Sequence, residues 1–217
     1  AGAAARRRPG GMETRVIRNG GSFVKREVDT ATMTDAPAPH PSELGIPLGD
    51  LWIFGYGSLM WDPGFSYKTR APALVRGYHR AFCINSNRWR GTPEQPGLVL
   101  GLDRGGACRG VASLVERTHV ASTISGLWAR EMRRHIYRVK LLRAWFSDGE
   151  ARVFTFVADP RHPGYAGRLT IGQTAQRIAT CCGARGPNID YLTRTVEHLE
   201  ELGVRDHNLL RVLAAVL

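Results

Sequence analysis

Between residues 51 and 156 the apolar residues gather mostly in short runs, each cut off by glycine, proline or aspartate. Runs of that length and boundary predict strands at 51–54, 73–75, 80–84, 98–102, 109–114, 137–142 and 152–156. Ser147-Asp-Gly149 lies between the last two, and Asp-Gly suits the tight turn of a hairpin. Apolar positions recur at helical spacing over 120–131, 170–182, 188–202 and 206–217, with Gly183 placed to end the second helix. Strands first and most helix late favours an α+β domain over a doubly wound sheet. Ahead of Leu51 this periodicity is missing, and Thr, Ala, Pro, Gly and charge prevail. We therefore expect a poorly packed, flexible arm over 1–48 and one folded domain over 49–217. Within the arm, 1–11 reads as a leader ahead of Met12, and Val16-Ile17 and Phe23-Val24 offer a short strand or helix.

A chain of 217 residues suffices for one buried core with tails. No apolar run approaches the roughly 18 residues a membrane span needs, and no secretory-type apolar stretch opens the chain. Cys83, Cys108, Cys181 and Cys182 form no Cys-x-x-Cys pair, so we expect reduced thiols in a cytoplasmic protein without membrane partners. The net charge of +11 raises nucleic acid as a partner. Yet the charge is spread along the chain, only Lys25, Lys68 and Lys140 among the 30 basic residues are lysine, and no nucleic-acid motif accompanies them. Nucleic acid is therefore not the expected partner. The seven histidines lack ligand spacing, so no metal is expected, and the absence of a Walker loop or a dinucleotide fingerprint gives no reason to expect another cofactor.

The chemically suggestive segment runs from Trp52 to Trp61, WIFGYGSLMW. Two glycines one residue apart, directly after a strand, let the backbone turn sharply and present N–H groups to a ligand. A dinucleotide fingerprint and a nucleophile elbow both require glycine where Met60 stands. By its residues alone the segment reads equally as a tight turn at a barrel rim. Glu131 is also ambiguous at this level, since Arg134 or His135 could pair with it on a solvated helix face.

An ordered set of motifs resolves the choice. WIFGYGSLMW strongly resembles the signature of the ChaC family, the glutathione-specific γ-glutamylcyclotransferases. Gly77-Tyr-His-Arg-Ala-Phe-Cys83 resembles that family's second strand, and Arg90-Gly-Thr92 with Gln95-Pro-Gly97 its next loop. Leu127-Trp-Ala-Arg-Glu-Met132, followed by Tyr137, resembles its catalytic segment. Asp159-Pro-Arg-His-Pro-Gly-Tyr165 and the stretch from Gly183 to Leu192 continue the likeness, which runs from Leu51 to the C-terminus. One departure stands out: the family's Gly-Val-Ala-Tyr-Arg-Leu strand is Gly110-Val-Ala-Ser-Leu-Val115 here.

The resemblance implies a γ-glutamylcyclotransferase-like α+β fold, a small β-barrel or curved mixed sheet surrounded by helices. It implies an enzyme releasing 5-oxoproline from glutathione, with Glu131 as general acid and base. The backbone of Ile53, Phe54, Gly55, Tyr56, Gly57, Ser58 and Leu59 would hold the γ-glutamyl group, and Tyr137 and Tyr165 would line the pocket. Alternatives are the same reaction on other γ-glutamyl amino acids or amines, and a catalytically silent binding module. The leaving group separates the first from glutathione cleavage; absence of 5-oxoproline identifies the second.

Overall fold

The computed structural model describes residues 38–217. The expected arm up to position 37, including Val16-Ile17 and Phe23-Val24, lies outside the described residues.

The chain forms β1 (Leu51–Gly55), β2 (Thr69–Ser86) and β3 (Gly97–Val115), then α1 (Val120–Glu131). A hairpin follows, β4 (Tyr137–Phe146) and β5 (Gly149–Ala158). The remainder is α2 (Ile171–Thr180), a small ribbon of β6 (Cys182–Gly183) and β7 (Gly186–Pro187), α3 (Asn188–Glu201) and α4 (His207–Val216). The five long strands close into a barrel in the order β1-β3-β2-β4-β5. Its pairs are antiparallel except β1 with β5, which run parallel with Trp52 opposite Val153 and Ile53 opposite Phe154. This is the expected α+β class, a mixed barrel with helices packed on it.

Two corrections concern glycine. Strands expected at 73–75 and 80–84 are one strand, β2, and those at 98–102 and 109–114 are one strand, β3. Gly77, Gly105 and Gly106 suggested breaks, but they sit at a register shift between Arg76 and Tyr78, with φ of 83°, 97° and 70°. Left-handed glycines there build a bulge, which bends a long strand without ending it. The second correction is at Gly183. Helix α2 stops at Thr180, Cys181 is extended, and Gly183 pairs with Gly186 in the ribbon.

Both faces of β1 are buried. Leu51 and Ile53 join Val120, Ile124 and Leu127 of α1, whereas Phe54 joins Ile178 of α2, Leu192 and Val196 of α3 and Leu209 of α4. The first cluster also takes in Ile46, which is 7% exposed, so the packed chain begins ahead of Leu51. Among the described residues no helix is long and apolar enough to cross a membrane.

Candidate active site

The loop after β1 is shaped by a reversal of the chain. A 3-10 turn over Ser58–Met60 brings the backbone back onto the strand end. A Cβ at Gly55 would lie 3.0 Å from the Leu59 carbonyl carbon and 3.1 Å from the Met60 nitrogen. Glycine is required there by close approach. No residue from Gly55 to Ser58 has a positive φ, and Gly57 sits at −136°. The turn is therefore made without a left-handed residue. Gly57 leaves space instead: a Cβ on it would face the Tyr191 hydroxyl at 3.7 Å and Leu100 Cδ1 at 3.9 Å.

Arg80 of β2 fixes this loop from beneath. Its guanidinium is almost wholly buried, with Nε donating to the Tyr56 carbonyl at 2.5 Å and Nη2 to the Arg109 carbonyl at 2.7 Å. Nη1 donates to Asp206 Oδ2 at 2.6 Å. In a trans peptide the N–H opposes the preceding carbonyl, so this clamp turns the Gly57 N–H away from Arg80. Asp206 is also the N-cap of α4, its Oδ1 accepting from the backbone of Asn208 and Leu209 at 3.1 and 3.2 Å.

Glu131 ends α1. Arg130, which helical spacing did not suggest, lies beside its carboxylate. Oε1 lies 3.1 Å from Arg130 Nε, while Arg134 Nη1 donates to Asn87 Oδ1 at 2.7 Å. The side chain of Glu131 is 20% exposed. Burial pushes its carboxyl above the ordinary carboxylate range, and the neighbouring Arg130 charge pulls it partly back.

Three phenols lie within reach of the Glu131 charge. Burial raises Tyr56 and Tyr137 well above the usual tyrosine value, reinforced in Tyr56 by Tyr137 and then Glu131, and in Tyr137 by Glu131 and then Tyr191. Burial pushes Tyr191 up to about 12, against a backbone hydrogen bond from Leu100. Tyr137 donates to the Leu100 carbonyl at 3.2 Å. All three remain neutral hydroxyls in the working range of a carboxyl acid–base, with the single proton of Tyr137 committed to Leu100.

The fold thus brings Tyr56, Gly57, Ser58 and Tyr137 together with Glu131. The side chains of Ile53, Phe54 and Leu59 belong to the core, leaving only their backbones for a ligand. The Phe54 carbonyl already accepts from Thr155 Oγ1 at 3.0 Å. Tyr165 is turned elsewhere: its hydroxyl donates to Asp103 Oδ2 at 3.0 Å, and its backbone bridges to Ile84. Burial and Asp103 push that phenol up to about 12.

Tyr191 is the residue that sequence reasoning missed. Its signal lies in Asn188, which is fully buried and pins the start of α3 to β3. Asn188 Oδ1 accepts from the Leu98 N–H at 2.6 Å and Nδ2 donates to the Leu98 carbonyl at 2.8 Å. One helical turn later Tyr191 lands against Phe82, ring centroids 5.9 Å apart and edge to face. An asparagine that clamps a helix start, followed by Tyr at the third position, was the available cue.

Comparison with known proteins places this geometry. A family model described as ChaC-like protein matches residues 51–217. A glutathione-specific gamma-glutamylcyclotransferase of Escherichia coli K12 is 36% identical over 169 residues, covering 77% of this chain and 73% of that protein. Glutathione-specific gamma-glutamylcyclotransferase 1 of Homo sapiens is 33% identical, covering 87% of this chain and 89% of that protein. In fold, the chain matches a yeast gamma-glutamyl cyclotransferase specific to glutathione with a TM-score of 0.69, at 22% identity. That match covers 77% of this chain and 96% of the yeast one.

Proposed function

The chain belongs to the ChaC-like protein family, and we propose that it is a γ-glutamylcyclotransferase cleaving glutathione to 5-oxoproline and cysteinylglycine, with Glu131 as general acid and base. The names carried by its relatives support the substrate. The observation that carries the mechanism is a mostly buried carboxyl with raised proton affinity, set among neutral phenols beside the glycine loop. The substrate brings its own nucleophile. Glu131 takes a proton from the α-ammonium, and the freed amine attacks the γ-carbonyl carbon to close a five-membered lactam. The bond to the cysteinyl nitrogen then breaks as that nitrogen takes the proton held by Glu131, and the second proton shed by the ring nitrogen completes the ammonium of the departing cysteinylglycine. No water or electron is consumed.

Holding the substrate curled gives the intramolecular attack its advantage. The Gly57 N–H, turned away from Arg80, is a donor suited to the oxyanion that develops on the γ-carbonyl. One carboxyl within reach of both nitrogens serves first as base and then as acid. The four cysteines are free and three of them are buried, which suits a reducing cytoplasm.

Purified protein incubated with glutathione should release 5-oxoproline. Glu131→Gln should lower kcat by about 10²–10⁴-fold with an unchanged melting temperature, because the amide cannot accept the ammonium proton. Turnover within a few-fold of wild type would remove Glu131 from this role.

A further inference from the structure

Arg130 uses each nitrogen of its guanidinium on a different part of the candidate site. Nε lies 3.1 Å from Glu131 Oε1, Nη2 donates to Ser58 Oγ at 2.8 Å, and Nη1 donates to the Asp62 carbonyl at 2.9 Å. Ser58 opens the 3-10 turn, and the Asp62 N–H closes back on the Ser58 carbonyl at 2.8 Å. One side chain therefore spans from the end of α1 to both ends of that turn.

We propose that Arg130 is the positioning residue of this site, tying the Glu131 carboxylate and the Tyr56–Ser58 loop into one geometry. The inference rests on the reading of Glu131 as acid and base. A planar guanidinium reaches three acceptors in fixed directions, whereas a lysine ammonium is a single point on a flexible stem. The groups facing Glu131 are Arg130 on its own helix, Tyr56 on the loop, Tyr137 on β4 and Tyr191 on α3. The three phenols are neutral, so Arg130 supplies the charge that opposes burial at the carboxyl. Its side chain is 32% exposed and lines a cavity of about 270 Å³ with Gly64, Phe65 and Leu127, so replacing it leaves the core intact.

The test is the pH profile of kcat/KM with glutathione for wild type, Arg130→Gln and Arg130→Lys, alongside Glu131→Gln. In Arg130→Gln the carboxylate loses its counter-charge, so the acidic limb should move to higher pH. KM should also rise roughly threefold to tenfold as the loop loses its tether. Arg130→Lys should keep the acidic limb near its wild-type position and share the rise in KM; should the Gln variant melt early, that rise carries the test. An unmoved acidic limb and unchanged KM in both Arg130 variants, with Glu131→Gln inactive, overturn this inference alone. An active Glu131→Gln overturns the reading beneath it.

Discussion

Gly55 and Gly57 stand one residue apart and serve different ends. A methyl on Gly55 would press on backbone atoms of Leu59 and Met60 at 3.0–3.1 Å, and backbone yields little. Gly55→Ala should therefore cost about 1–3 kcal/mol of stability, seen as a melting temperature lowered by several degrees. The position of Gly57 tolerates a Cβ at ordinary contact distance, but valine methyls would fill the space before the Tyr191 hydroxyl and Leu100. Gly57→Val should fold normally and lose at least about a hundredfold in kcat/KM, since misplaced substrate forfeits the intramolecular advantage. Ser58→Ala removes only the hydroxyl that accepts from Arg130, a loss of about 1 kcal/mol or roughly fivefold in kcat/KM. An inactive Ser58→Ala beside an active Gly57→Val would reopen a covalent serine route.

At the scale of elements, the clamp between β2 and α4 joins the core to the candidate site. Arg80 and Asp206 have side chains 2% and 17% exposed, so loss of the carboxylate strands a buried guanidinium. Serine also caps helices well, so Asp206→Ser keeps the cap of α4 while deleting the ion pair. Urea unfolding should show Asp206→Ser destabilised by about 3 kcal/mol and Asp206→Ala by about 1 kcal/mol more. Wild-type stability in Asp206→Ser would show that the pair contributes nothing.

Elements of this kind explain what the sequence could and could not disclose. Helix α1 was legible over its whole span, and α2, α3 and α4 to within a residue or two, because amphipathic spacing is local. The long strands were read as fragments, since a glycine in an apolar run signals a turn and a bulge equally. The loop and Glu131 were visible through contiguous motifs. Arg80 with Asp206, and Asn188 with Leu98, were not: these partners lie 126 and 90 residues apart, and only barrel closure and helix docking bring them together.

For the molecule as a whole, the open question of boundary falls on residues 38–48. Composition placed the domain start at 49, yet Ile46 is buried with Leu51, Ile53, Val120 and Ile124, and Leu44 packs partly beside it. The segment is shaped for that docking: the Ile46 N–H donates to the Pro41 carbonyl at 3.0 Å, closing a turn that carries the isoleucine inward. The site depends on the same cluster, because it holds α1, and hence Glu131, against β1. Burying one isoleucine side chain contributes about 1.5–3 kcal/mol. In a domain of this size each kcal/mol shifts the melting temperature by about 2–4 °C. Two truncations separate this contribution from anything the first 37 residues do. A chain lacking 1–48 should melt roughly 3–12 °C below one lacking 1–37. Both should retain Glu131-dependent turnover at 25 °C, since the barrel and the Arg130 contacts lie wholly downstream. Equal melting temperatures by calorimetry would show that Ile46 merely rests on the surface, and would put the domain boundary back at 49.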